Sequence, residues 1–218
     1  ANPNYNSLAT VNDGSCYYTK TYVPDNNFEA HLESNGMGDG IANNDSVYTY
    51  LIVNETYLYV EYESIADLTG IEAFTALEEL DCYNNQLTSL DVSGATALEY
   101  LYCGDNQLTS LDVSLNTALE ELDCYNNQLT SLDVSGNTAL EYLDCSENQL
   151  TSLDVSLNTA LEYLECDENQ LTSLDVSLNT ALEYLYCIDN QLTSLDLRNG
   201  NNTNMSSHDF ENNPNLYC

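Results

Sequence analysis

Positive charge is nearly missing from this sequence. Its 218 residues hold 2 Lys plus Arg against 36 Asp plus Glu, a formal net charge of -34. Nucleic acid is excluded as a partner, because phosphate contacts need cationic side chains, and an anionic lipid surface is excluded on the same grounds. Long apolar runs are missing too. No stretch approaches the ~18 residues of a membrane span, and no secretory leader stands at the start, so Ala1 reads as an end left after leader removal. Histidine is reduced to His31 and His208, near opposite ends, and no G-x-S-x-G, H-E-x-x-H or phosphate loop occurs. No catalytic residue is therefore assigned, and no enzyme activity is expected. Lys20 and Arg198 leave a trypsin-like protease almost nothing to cut, which suits an extracellular setting. Metal ions, cationic partners and neutral sugars stay compatible with the charge.

What the sequence has in abundance is repetition. Six copies of a 21-residue line begin at Leu77, Leu98, Leu119, Leu140, Leu161 and Leu182. The first half reads L-E-x-L-x-C-x-x-N-Q, as in Leu140, Leu143, Cys145 and Asn148; the second reads L-T-S-L-D-V-S, as in Leu150, Leu153 and Val155. Alternation in a strand sends Leu143 and Cys145 inward and Tyr142, Asp144 and Ser146 outward. By the same rule Leu153 and Val155 go in, and Ser152, Asp154 and Ser156 go out. One turn cannot bury its own apolar face, so stacked turns must share one core. The expectation is a repeat solenoid, mainly parallel β, with two short strands per 21-residue turn. Asn85, Asn106, Asn127, Asn148, Asn169 and Asn190 are expected to form an internal ladder that binds backbone groups at the bend.

These motifs resemble the leucine-rich repeat superfamily, and within it the bacterial 21-residue subtype with alternating 10- and 11-residue halves, often called the IRREKO type. The resemblance covers residues 77–202 in register. It implies a secreted or bacterial cell-surface protein whose exposed first strand forms a concave binding face. Upstream, "IADLTGIEAFTAL" (65–77) resembles the lead-in turn of such arrays. Residues 2–16 resemble the end of an Asp/Cys module of bacterial surface proteins.

Beside the resemblance, the flanks read as follows. In "VPDNNFEAHLESNG" (23–36), Asp25 or Asn26 is an N-cap, Phe28 and Leu32 form one apolar face and Gly36 is a stop, giving an N-terminal capping helix. "VYTYLIV" (47–53) and "YLYVEY" (57–62) read as strands separated by a turn at Asn54-Glu55. Met205, Phe210, Asn213 and Leu216 fit a looser last turn in which His208 replaces a core leucine. The division is then 1–21, a truncated surface-module tail or linker; 22–76, the cap; 77–202, six repeats; and 203–218, an incomplete turn. That unfinished turn, together with Cys16, motivates an alternative in which solenoid ends associate into filaments.

Cys82, Cys103, Cys124, Cys145, Cys166 and Cys187 recur at one leucine-like position. They read either as a column of small buried hydrophobes or as thiolates for a soft metal. Outward neighbours and the lack of any Cys-x-x-Cys or histidine pairing favour the first.

The copies differ in a pattern. The second half is nearly constant, while the third, fifth, seventh and eighth positions of the first half vary. Tyr83, Tyr100, Tyr102, Tyr125, Tyr142, Tyr163, Tyr184 and Tyr186, with Asp144 and Glu165, are the expected ligand-binding face. Flat aromatics beside carboxylates suit sugar rings and equally suit Lys- or Arg-bearing loops. Uniform columns of Glu78, Glu99, Glu120, Glu141, Glu162, Glu183 and of Asp91, Asp112, Asp133, Asp154, Asp175, Asp196 set like charges ~5 Å apart. Each pair costs roughly 0.8 kcal/mol in bulk water. Salt with hydrogen bonds from nearby Ser or Thr would offset this. Calcium is the other candidate, with Asp144, Glu147, Glu165, Asp167, Glu168 and Asp189 the best cluster; no cofactor is required otherwise. Thr88, Thr109, Thr130, Thr151, Thr172 and Thr193 also stand in register, but flank a Ser-x-Asp-x-Ser strand unlike an ice-binding T-x-T row. The sequence thus points to a non-catalytic extracellular binding or adhesion module for protein or glycan.

Overall fold

The computed structural model describes residues 18–203 and 205–216. Cys16, Cys218 and the Asp/Cys-like stretch lie outside the described residues.

The chain enters through β1 (Lys20–Tyr22), helix α1 (Asn26–Ser34), β2 (Ser46–Tyr48), the short helix α2 (Thr49–Ile52) and β3 (Tyr57–Tyr59). Asp25 caps α1: one carboxylate oxygen accepts from Asn27 N (2.9 Å) and Phe28 N (3.1 Å). Its other oxygen accepts from Ala66 N (2.9 Å) and Asp67 N (3.2 Å), tying the helix start to the first solenoid turn. Phe28 and Leu32 are buried, and the Phe28 ring lies 6.4 Å from that of Phe74. The capping helix is therefore where the sequence placed it, covering the open end of the core. Glu29, on the same helix, is buried, and its carboxylate accepts from Asn44 N and Asp45 N to hold the following loop.

Residues 47–53 correct the sequence reading. β2 pairs antiparallel with β1 for three residues only, and the chain then turns into α2, which buries Ile52. One further backbone bond, Thr49 N to Thr19 O (3.0 Å), follows the three paired residues before the chain coils. Downstream, Gly70 adopts φ 110°, and a Cβ there would meet Tyr22 O at 2.8 Å and Val23 Cγ2 at 2.9 Å. Only glycine lets the lead-in turn pass this close to the cap.

Each repeat then contributes a three-residue strand: β4 (Glu79–Asp81), β5 (Tyr100–Tyr102), β6 (Glu121–Asp123), β7 (Tyr142–Asp144) and β8 (Tyr163–Glu165). After β9 (Ser173–Asp175), β10 (Tyr184–Tyr186) continues the row; β11 (Ser194–Asp196) and β12 (Ser207–Asp209) follow. Eight strands form one sheet in the order β12-β10-β8-β7-β6-β5-β4-β3, every neighbour parallel. β3 pairs Leu58 with Leu80, so "YLY" is the first rung of the same sheet.

The second halves behave differently from expectation. Only β9 and β11 pair as strands there; in the earlier turns the equivalent segments make no ladder. Leu111, Leu132 and Leu153 are each 8% exposed, whereas Leu174, in the paired segment, is 2% exposed.

Behind the sheet lies one continuous core of leucine, valine and the six cysteines, all of them buried and unbridged. Burial drives every one of these thiols upward in pKa, most weakly at Cys187, at about 12. They pack as hydrophobes. The expected asparagine ladder closes the bend. Asn106 Nδ2 donates to the carbonyls of Cys82 (3.0 Å), Cys103 (3.2 Å) and Gly104 (3.1 Å), and its Oδ1 accepts from Leu87 N (2.9 Å). Asn127, Asn148, Asn169 and Asn190 repeat this, and Asn213 extends it into the last turn.

A second ladder was not foreseen. Asn116, Asn137, Asn158 and Asn179 are fully buried on the other side, each donating to two carbonyls of the preceding turn. The constant "NTALE" of the repeat was its visible signal. At the C-terminal side His208 occupies the register of Leu185, yet is exposed and stacks on Phe210 at 5.6 Å.

Candidate binding face

Register places the variable positions in rows across the sheet. The third positions of the repeat run Tyr57, Glu79, Tyr100, Glu121, Tyr142, Tyr163, Tyr184; the fifth run Tyr59, Asp81, Tyr102, Asp123, Asp144, Glu165, Tyr186, Asp209. All expected face residues stand on these rows or on the adjoining bend. Tyr57, Tyr59 and Tyr62 extend the face and were missed. Their signal was "YLYVEY", which copies "YLYCGD" of residues 100–105.

The two ends of the face are built differently. At β5 the tyrosine hydroxyls are engaged: Tyr100 donates to Glu120 (3.1 Å) and Tyr102 to Glu121 (2.7 Å). The Tyr125 hydroxyl donates to Asp105 (2.9 Å) and meets the Tyr83 hydroxyl at 2.9 Å, although those tyrosines are two turns apart. Gly104 makes this possible. A Cβ there would stand 2.6 Å from the Tyr125 ring, so the missing side chain is the space through which Tyr125 reaches Tyr83. Burial raises the Asp105 carboxyl, but hydrogen bonds from Tyr83, Tyr125 and Asn126 outweigh it and hold the group below its ordinary pKa.

From β7 onward the rings stack on one another. Tyr142 and Tyr163 lie 4.5 Å apart at 13°, and Tyr184 and Tyr186 each sit 5.7 Å from Tyr163. Beside the stack the fifth-position carboxylates are crowded. Asp144 and Ser146 point out of the sheet as expected but are 9% and 5% exposed, covered by their neighbours rather than open. Ser146 donates to Asp144 Oδ1 through both N–H (2.9 Å) and hydroxyl (2.5 Å). Asp123 is pushed up to about 6, chiefly by burial and then by Asp144, Asp81 and Glu165, against one N–H from Tyr125. Asp167 is also pushed up to about 6 by burial, opposed by the Ile188 N–H and helped by Glu165 and Asp144. Asp144 rises for the same first reason.

The six residues suggested for calcium do not converge. Glu147, Glu168 and Asp189 occupy a bend column with φ of 50°, 50° and 51° and point to solvent, while Glu165 accepts from the Tyr163 hydroxyl (2.5 Å). Among the described residues no group of three or more His, Cys, Asp or Glu side chains is placed to hold a metal.

The opposite edge carries the uniform aspartates. Asp91, Asp112, Asp133 and Asp154 each accept from the serine two residues on, at 2.9–3.0 Å to its N–H, and those serines hold all four below their ordinary pKa. This is the hydrogen-bonded offset to the charge column that the sequence allowed.

The family described as Leucine Rich repeats (2 copies) matches residues 96–137 and 117–159. No curated protein matches the chain in sequence. Among solved structures, the functional domain of InlJ from Listeria monocytogenes, which includes a cysteine ladder, is 26% identical over 92% of this chain and 63% of its own, with a TM-score of 0.41. A leucine-rich repeat protein of Leptospira interrogans is 26% identical over 67% of this chain and 43% of its own, with a TM-score of 0.61. An internalin (inlF) of Listeria monocytogenes is 23% identical over 89% of this chain and 68% of its own, with a TM-score of 0.65. The chain therefore spans less than two thirds of the length of the first two. What sequence match and superposition share is the repeat itself, and by fold this chain is a leucine-rich repeat solenoid.

Proposed function

We propose that the chain is a non-catalytic binding module, acting outside the cell or on a bacterial surface, whose tyrosine and carboxylate strand face recognises a protein or glycan partner. One observation carries the reading. The repeat is nearly constant where it builds the core and the second half, and most of its variation falls where side chains leave one continuous sheet face and at the start of the adjoining bend. A scaffold under no demand but folding has no reason to confine its variation so. Other observations agree. His31 sits in the cap helix, 3.5 Å from Glu63, and His208 lies on the last strand, so neither shares a site with the other. No described helix is long and apolar enough to cross a membrane.

The test compares the wild type with a triple Tyr142→Ala, Tyr163→Ala, Tyr184→Ala variant on a glycan array and a panel of purified extracellular proteins. Capture should fall at least tenfold for the true ligand. Equal capture by both would move the site off this face.

A further inference from the structure

We propose that the aspartate edge of the solenoid, along the row Leu115, Leu157 and Leu178, docks a basic amphipathic helix of a partner protein. The row lies on the second halves of the repeats, and the inference does not rest on the strand-face reading given above.

The leucines give the first argument. They follow the serine of "LDVS" in the second, fourth and fifth copies, where the first and third copies carry Gly94 and Gly136. Leu115, Leu157 and Leu178 are 57%, 55% and 56% exposed, while Leu111, Leu153 and Leu174 on the same turns are buried. The scaffold does not ask for them. At Gly94 a Cβ would stand 2.1 Å from Glu72 O, so that turn has no choice; at Gly136 it would meet nothing nearer than Ser114 O at 3.4 Å, which leaves room for a side chain. One exposed leucine is ordinary. Three at one register of one edge form a row, and exposed apolar rows mark contact surfaces.

The edge is also indented between turns. One hollow of about 350 Å³ sets Leu115 beside Asp91 and Asp112, and another of about 370 Å³ sets Leu178 beside Asp154 and Asp175. A third, also about 370 Å³, lies over Asp112 and Asp133 and has no exposed leucine, because its turn carries Gly136. Each volume is at the small end of ligand clefts, ~300–1,000 Å³. The Gly136 turn is thus a gap between Leu115 and Leu157, about 10 Å across two turns, that a side chain from outside can enter.

Spacing and charge select the occupant. Turns stack about 4.8 Å apart. A helix presents one face every ~5.4 Å, and a strand every ~6.7 Å. Over three turns the helix drifts by about 2 Å and the strand by about 6 Å, more than a whole turn. Only the helix stays in step from Leu115 to Leu178. Beside the leucines, Asp112, Asp133 and Asp154 are exposed and held below their ordinary pKa by serines, so they are ionised at neutral pH. An apolar stripe flanked by lysine or arginine complements that pattern. A second copy does not, since it brings the same aspartates and a net charge of -34. Its Lys20 and Arg198 are already paired, with Asp39 and Asp196.

The experiment is fluorescence anisotropy of the full chain at about 0.15 M ionic strength, with two labelled peptides of identical leucine and lysine content. One has its leucines at helical spacing, and the other alternates leucine with lysine. The helical-spacing peptide should bind the wild type at least tenfold more tightly than the alternating one. A Leu157→Ser, Leu178→Ser variant keeps every charge and should lose at least fivefold in affinity for it, whereas the Tyr142→Ala, Tyr163→Ala, Tyr184→Ala variant should change less than twofold. Equal binding of both peptides to the wild type would reduce the effect to the overall field and overturn the proposal, whatever the variants do. So would absence of binding, or a leucine variant that binds as tightly as the wild type. Loss in the tyrosine variant alone would move the contact to the strand face, overturning this proposal and leaving the one above intact. Sedimentation should show the same single species for wild type and leucine variant; an assembly that only the leucines maintain would give the row to a second copy and overturn the helix.

Discussion

Two aspartate columns run along this solenoid, and their carboxyls behave in opposite ways. At the edge, Asp133 and Asp154 are exposed, bonded by a serine two residues on, and lowered in pKa. On the strand face, Asp144 is buried and Asp123 half-buried, and both are crowded by other acids and raised. Residue type and stacking period are the same. The difference lies in what stands beside each carboxyl: a serine that donates to the charge, or tyrosines that take water away from it. One column is built to remain ionised in isolation. The other is left unfinished.

The scaffold that carries both columns should be the most sensitive part. Asn127→Ala would leave Leu108 N without its partner in the interior and take one of two donors from each of the carbonyls of Cys103, Cys124 and Tyr125. An orphaned buried donor costs ~1–3 kcal/mol, and the carbonyls lose a donor each besides, so a loss of about 2 kcal/mol is expected in urea unfolding. A loss below 1 kcal/mol would mean that neither column is rigidly held.

The columns themselves respond to pH with opposite signs. Asp123 binds its proton below about 6 in the fold but only below ~3.9 when unfolded. Its contribution is therefore full at low pH and lost as pH rises through 6. The edge aspartates have folded pKa values below the unfolded one, so their contribution is present above ~3.9 and lost as pH falls. Asp123→Asn should raise stability by ~1–2 kcal/mol at pH 7.5 and do little at pH 4.5. Asp133→Asn should lower the melting temperature at pH 7.5 instead. Melting curves of both variants at both pH values check this, and shifts of the same sign would erase the distinction.

Smaller effects belong to the bends. Gly104→Ala should displace Tyr125 from Tyr83, costing ~1 kcal/mol and removing the shared hydrogen bond, visible as a shifted tyrosine ultraviolet difference spectrum. Least of all, Glu168→Asn should stabilise by ~0.5 kcal/mol in denaturant titration. At φ 50° Asn tolerates the left-handed backbone better than Glu.

Most of the scaffold was legible because its causes are periodic. Leu143, Cys145 and Asn148 recur at fixed offsets, and alternation alone assigns them inward. Asp25, Phe28 and Gly36 likewise carry a local helix signal. What escaped depends on partners that no local pattern specifies. Residues 47–53 form an apolar run that periodicity cannot divide between strand and helix. The second-half strands pair only at β9 and β11, whose "LTSLD" is the same as in the turns that do not pair, so no local pattern could tell them apart. On the face, the tyrosine rows were readable from alternation. The reach of Tyr125 over Gly104 was not, since it joins side chains 42 positions apart. Nor was the cover over Asp144, which neighbouring strands provide.

The asparagines that lace each turn to its neighbour have one more consequence. Every crossbar spans a single junction and asks nothing of the junctions beyond it. Whole units can therefore be gained or dropped without leaving a loose end, so length is free to drift by multiples of one repeat, whereas a single inserted letter would misalign a rung. An array of this kind can grow by copying and afterwards alter its outward surface one line at a time.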